Sequence, residues 1–166
     1  MSKIALVTGA SSGIGRAIAI RLAKDGFTVL VHYNSNKVGA EETLAQLLPM
    51  SPQSTILQFD MTDSAKIESA LKEHDVHTLI NNAGLHLDGM SVLMSNDNFE
   101  KVVATNLFGP FYVSKLCGKK MLLKRSGCIV NIASLAGQTG NAGQVNYAAS
   151  KAALIAMTKT MAMELG

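Results

Sequence analysis

Charge is scarce in this 166-residue chain: Asp, Glu, Lys and Arg make up 16% of it, against about 25% in an ordinary soluble domain, while 48% is hydrophobic. That balance excludes intrinsic disorder, because the chain has ample apolar surface to bury. Neither sign of charge is concentrated. Fifteen Lys and Arg face twelve Asp and Glu, for a formal net charge of +3, too small and too scattered for a nucleic-acid footprint. Cysteine is nearly absent. Cys117 and Cys128 share no CxxC spacing and stand among apolar residues, so they read as buried thiols of a reducing compartment, with no disulfide or zinc site. His32, His74, His77 and His86 form no ligand cluster, so no metal is expected and all four read as non-catalytic. Long apolar runs are missing too. Lys3 precedes a very short run at 4–7, neither a signal-peptide core nor a membrane span, and the longest uncharged stretch, 126–150, is full of Gly, Asn, Gln and Ser. These absences point to a cytoplasmic protein with no membrane or nucleic-acid partner.

What is present is an alternation of strand and helix patterns. A chain of this size buries roughly 70% of its unfolded surface and needs no disulfide or structural metal, so residues 1–166 are expected to form one domain. Continuous apolar runs at 4–7, 28–31, 55–59, 78–80 and 128–132 read as buried strands. Between them Ile14, Ala17, Ile18 and Leu22 recur at helical spacing, and further helices are expected over 41–48, 64–73, 98–123 and 145–165. No repeat or linker interrupts the pattern. Strands separated by helices imply right-handed crossovers and a doubly wound parallel sheet, a three-layer α/β fold of Rossmann type. Ligands then collect at the carboxyl ends of the strands, which directs attention to 9–15, Asp60, 81–84 and the segment after Ile132.

Gly9-Ala10-Ser11-Ser12-Gly13-Ile14-Gly15 follows the first strand and opens the first helix. Glycines there let the main chain approach a pyrophosphate, whose charge meets the free amides and positive end of the helix. Taken alone, a G-x3-G-x-G turn is a weak signal, because the same glycines also serve tight packing of helix on strand. Tyr147 and Lys151, at i and i+4, share one helical face. A nearby ammonium stabilises a phenolate and so suits a tyrosine to proton transfer, although such a pair by itself is more often plain helix surface.

Together these motifs resemble the short-chain dehydrogenase/reductases. The resemblance extends to Asn81-Asn82-Ala83-Gly84, to Ser134 thirteen positions before the tyrosine, to Asp60-Met61 after the third strand and to Asn106 in a long helix, and it covers the whole chain. It implies an NAD(P)-dependent oxidoreductase acting on CH-OH or C=O. Tyr147 would donate the proton, Ser134 would hydrogen-bond the carbonyl oxygen, and Lys151 would hold the nicotinamide ribose and lower the tyrosine pKa. Asn106 would hold a water of the proton relay. The dinucleotide would be held by Gly9, Ser11, Ser12, Gly13, Ile14, Gly15, Asn34, Asp60, Met61, Asn82, Ala83 and Gly84, together with Tyr147 and Lys151. No acidic residue follows the second strand, where NAD-specific relatives carry one, and Asn34, Ser35 and Lys37 suit a 2'-phosphate. NADPH is therefore preferred over NADH. Ser12 departs from NADPH-using relatives that place Arg or Lys at that point.

Within the family the chain is most similar to the 3-oxoacyl-acyl-carrier-protein reductases. The similarity rests on residues 84–90, Asn106-Leu107, Lys119-Lys120 with Lys124-Arg125, and 137–147. It implies reduction of a 3-oxoacyl thioester on acyl carrier protein, as in fatty-acid biosynthesis. The alternatives are another small carbonyl or alcohol substrate (acyl-CoA, sugar, steroid) and a non-catalytic nucleotide-binding protein. The lysines would present a basic patch to an acidic carrier, or would be an ordinary helix end. A homodimer or homotetramer is expected through the two long helices, which carry Phe108, Phe111 and an alanine-rich face. Relatives continue past Gly166 into further C-terminal elements, so these are expected to be missing from this sequence.

Overall fold

Ile4–Val7 forms the central strand, β1, in a computed structural model that describes residues 3–166. Around it lie β2 (Thr28–Tyr33), β3 (Thr55–Gln58), β4 (Val76–Asn81) and β5 (Cys128–Asn131). All pairings are parallel and the order is β3-β2-β1-β4-β5. The apolar runs are continuous because the sheet is covered on both faces. On one face α1 (Gly13–Lys24) and α2 (Lys37–Leu47) enclose Val7, Ala19, Val29, Val31 and Leu47. On the other, α3 (Ser64–Leu71) and α5 (Gly109–Lys124) enclose Leu6, Leu30, Phe59, Ile67, Leu79 and Val113. The adjacent residues Leu6 and Val7 feed opposite layers, as the alternation along a strand requires. Among the described residues no helix is long and apolar enough to cross a membrane.

The second helix starts four residues earlier than its apolar pattern suggests, because the Asn36 side chain caps it by accepting from the Gly39 amide. The helix expected over 98–123 is interrupted. Here α4 (Asn96–Val103) passes through a π-helical turn, Ala104–Phe108, into α5. Pro110 supplies the reason: it has no N–H for the Asn106 carbonyl, so the α-helical ladder cannot run through that point. Two more helices follow β5, a single turn α6 (Ala136–Thr139) and the long α7 (Val145–Leu165).

The expectation of two buried thiols is half corrected. Cys117 is buried, with its thiol pushed up to about 12 by desolvation, whereas Cys128 is exposed. β5 has a paired neighbour on one side only, so its outer flank is uncovered among the described residues. Local apolar sequence does not distinguish an edge strand from an inner one.

Candidate active site

The strand order reverses between β1 and β4, and the turns that leave their carboxyl ends meet there. Gly9 has a φ of 65°, and a Cβ on it would stand 2.9 Å from the Ala83 Cα. A Cβ on Gly15 would collide with the Gly9 carbonyl oxygen. Both glycines therefore serve the close approach of turn, helix and neighbouring strand. Gly13 is different, with a φ of 54° and no atom within 4 Å of where its side chain would begin, so its main chain faces open space.

Beside it Ser12 is the extended N-cap of α1, yet its hydroxyl makes no capping bond, while α2, α3 and α4 are capped by Asn36, Asp63 and Ser95. The first-turn amides of α1 thus lack a side-chain partner, and Ile14 alongside them is 65% exposed. An uncapped helix start under a bare glycine turn is what the pyrophosphate of a dinucleotide requires. The residues fit that group.

A buried hydroxyl and a half-buried amide hold the turn in place. The Thr8 hydroxyl accepts from the amides of Asn82 and Ala83 and donates to the Ile80 carbonyl. The Asn82 side chain donates to the carbonyls of Thr8 and Gly9 at 2.9 and 3.2 Å. Asn82, a candidate contact for the cofactor, is thus committed through its amide nitrogen to the turn. From outside, the Arg16 guanidinium donates to the carbonyls of Ser11 and Gly39 and pairs with Glu42, tying the turn to α2. Arg16 stands among apolar residues in the first helix, and nothing local marks it as a brace.

At the ends of β2 and β3, Asn34 is exposed and its amide lies 3.5 Å from an Asp60 carboxylate oxygen. Asp60 is held below the ordinary carboxylate range, chiefly because it accepts from the Thr62 amide and then its hydroxyl. Helix α3 is capped by Asp63, as the local sequence suggests, which leaves Asp60 at the crevice. The Met61 side chain is buried in the core against Gly109, so only its main chain can serve a ligand.

On the far side of the crevice Lys151 is 4% exposed, and its ammonium donates to the Ile132 carbonyl at 2.6 Å, just past β5. Burial lowers its pKa. No carboxylate pairs with it among the described residues. The ammonium stands 5.7 Å from the centre of the Tyr147 ring, one turn earlier on α7. Gly84 adjoins both sides of this group, since a Cβ there would lie 3.5 Å from Asn106 Oδ1 and 3.9 Å from Lys151 Nζ.

Asn106 is fully buried in the π-helical turn and exchanges two hydrogen bonds with the Leu85 main chain. It also donates to the Ser150 hydroxyl, which in turn donates to the Tyr147 carbonyl. Asn146 accepts from the Tyr147 amide and donates to the Leu87 carbonyl. Helix α7 is thus fastened to the loop after β4 on either side of the tyrosine. Ser134 sits in the turn after β5, where its hydroxyl accepts from the Ala136 amide. Gly137 brings that turn onto α7, because a Cβ on it would meet the main chain of Lys151 and Ala152 at 2.7 Å.

Thr8, Arg16, Gly137, Asn146 and Ser150 escape a reading of the sequence. Each has a partner on another segment of the chain, and only Gly137, Asn146 and Ser150 carry a local hint, being small or polar near Ser134 and Tyr147. The basic residues before β5 are a correction in the other direction. Lys120 donates to the carbonyls of Leu71, Lys72 and His74 at the end of α3, and Lys124 pairs with Asp75. These lie before β4 and β5, at the amino ends of the strands, so they form no patch beside the crevice.

The profile of the family described as short chain dehydrogenase matches residues 3–166. The chain is 39% identical over 170 residues to the 3-oxoacyl-[acyl-carrier-protein] reductase FabG of Staphylococcus aureus (strain Mu50), covering 99% of this chain and 69% of that protein. It is 37% identical over 169 residues to the 3-oxoacyl-[acyl-carrier-protein] reductase of Synechocystis sp., covering 99% of this chain and 68% of that one. With FabG of Buchnera aphidicola subsp. Schizaphis graminum the identity is 41% over 166 residues, covering 98% and 67%. The chain belongs to the short-chain dehydrogenase family. It is an NAD(P)-dependent oxidoreductase acting on a CH-OH or C=O group.

Proposed function

We propose that the protein reduces a 3-oxoacyl thioester, carried on acyl carrier protein, to the 3-hydroxyacyl form with NADPH. The reading is carried by one observation above the rest: Tyr147, Lys151, Asn106 and the turn bearing Ser134 converge on Gly84 and Ile132 beside the uncapped start of α1. The names of the similar reductases support the substrate class. A bound nicotinamide would supply the hydride. Tyr147 then gives its phenolic proton to the carbonyl oxygen while Ser134 donates a hydrogen bond to that oxygen. The ammonium of Lys151 offsets the negative charge left on the ring and holds the ribose. Asn106 fastens the loop after β4 and would hold a water of the proton relay. Gly9, Ser11, Ser12, Gly13, Ile14 and Gly15 take the pyrophosphate, and Asp60, Met61, Asn82, Ala83 and Gly84 line the remaining crevice. Exposed Phe108 and Phe111, at 48% and 44%, favour a homo-oligomer built partly on α5.

With NADPH in excess, the acetoacetyl thioester of acyl carrier protein should show a higher kcat/KM than that of CoA, and both should exceed simple ketones. Turnover of simple ketones with no thioester activity would reject the substrate assignment.

Cofactor choice rests on the end of β2, where residues 31–37 carry no carboxylate of their own to repel a 2'-phosphate. Asn34 is a poor place to install one, because the new charge would face Asp60 at the distance now spanned by the amide. Tyr33, the last residue of β2, lies one position away and is only partly buried. Tyr33→Asp should lower kcat/KM for NADPH relative to NADH by roughly tenfold or more, the effect of about 1.4 kcal/mol of charge repulsion. An unchanged ratio in steady-state assays would remove the 2'-phosphate argument.

A further inference from the structure

Among the described residues His32 is the one buried titratable side chain bordering the crevice that the mechanism above does not use. It is 1% exposed and lies next to the last residue of β2. Its Nδ1 is 3.1 Å from the Gly9 amide nitrogen, and its Nε2 is 3.0 Å from the Phe59 carbonyl oxygen. The chemistry of the partners settles the tautomer. An amide N–H only donates, so Nδ1 is bare; a carbonyl only accepts, so Nε2 carries the proton. The main chain of the same residue adds a third link, accepting from the Ala10 amide at 2.9 Å. The ring is stacked on Phe59, with centroids 3.9 Å apart and planes at 29°.

We infer that His32 is a positioning residue for the dinucleotide: one neutral imidazole bridges the pyrophosphate turn after β1 and the carboxyl end of β3, setting the separation of the two halves of the cradle. The inference rests on the reading of the crevice as a nicotinamide-dinucleotide site. A position needing only volume is served by Leu or Phe without the cost of burying a polar ring. Here both ring nitrogens are satisfied, and both partners are main-chain groups of turns that border the crevice. Gly9 has no side chain and a positive φ; Asn82 holds its carbonyl, and the His32 acceptor orients its amide. Phe59 immediately precedes Asp60, so the other end of the bridge sets the segment that reaches the crevice from β3. Burial pulls the imidazole pKa down to about 4, against the raising effects of the Phe59 carbonyl and the Asp60 charge, so the bridge stays neutral at physiological pH.

Two substitutions in the full chain separate positioning from packing. His32→Phe keeps volume and stacking and loses both hydrogen bonds, while His32→Asn keeps an acceptor for the Gly9 amide. Calorimetric titration with NADP+ should show Kd raised roughly fivefold to tenfold in the Phe variant, the effect of losing a hydrogen bond, and under about threefold in the Asn variant. The loss should fall on KM for NADPH and leave kcat little changed. In the parent, 15N NMR should show the His32 proton on Nε2, and NADP+ should shift the Gly9 amide resonance. An unchanged Kd in His32→Phe with a lowered melting temperature would overturn the proposal, as would equal losses in both variants. A proton on Nδ1 would do the same, even if neither variant folds. A parent chain that binds no dinucleotide would overturn the cofactor reading and this inference together.

Discussion

Tyr147→Phe should reduce turnover by about 10²–10⁴-fold, the range of a positioned general acid, and leave dinucleotide affinity nearly unchanged. The change deletes one hydroxyl. It leaves the ring under the Lys151 ammonium, and it leaves the main-chain bonds from the Tyr147 amide to Asn146 and from the Ser150 hydroxyl to the Tyr147 carbonyl. Helix α7 therefore keeps its place, and so does everything that forms the pyrophosphate turn on the other side of the crevice. Steady-state kinetics with an acetoacetyl thioester measure the first quantity, and calorimetric titration with NADP+ the second. Turnover within about threefold of the parent would reject Tyr147 as the proton donor.

Lys151→Met should also abolish most turnover, by at least about 100-fold, while the protein becomes no less stable. The physical reason is that the parent buries an ammonium whose sole hydrogen-bond acceptor is the Ile132 carbonyl, with no carboxylate to offset its charge among the described residues. Function holds a charge where folding disfavours it, a trade seen where a site needs a strained group.

The pH dependence has a definite sign. Burial lowers the folded-state pKa of Lys151 below its ordinary value of 10.5, so the unfolded chain binds more protons between the two values. Stability of the parent then rises with pH through that window, and the cost of the buried charge is greatest below it. Denaturant unfolding should show the Met variant equal to or above the parent at pH 7, with the difference shrinking toward pH 10. A Met variant clearly less stable at pH 7 would mean that the Ile132 hydrogen bond outweighs the buried charge.

The parts of the proposed site that were legible are those whose members are short in sequence range. Tyr147 and Lys151 lie four residues apart on one helix, and the glycine turn lies within a single seven-residue segment. The break in the helix over 98–123 was legible in principle as well, since Pro110 forbids a continuous ladder. What carries the site in space was not legible. Thr8 meets Asn82 and Ala83 across more than seventy residues, Asn146 reaches Leu87, and His32 reaches Gly9 and Phe59.

The sequence by itself determined the strand and helix alternation, the doubly wound class and the residues proposed as reacting groups, because apolar periodicity and short motifs are local properties of the chain. Tertiary structure alone decided which polar residues are braces and which face the crevice. It turned the Asn82 amide inward, took Lys120 and Lys124 to the opposite end of the sheet, exposed Cys128 and buried Lys151 without a counter-charge. Each of those outcomes depends on which strand neighbours which and on how deep a side chain lies. Hydrogen-bond partners and desolvation are set by that packing, and no window of the sequence contains it.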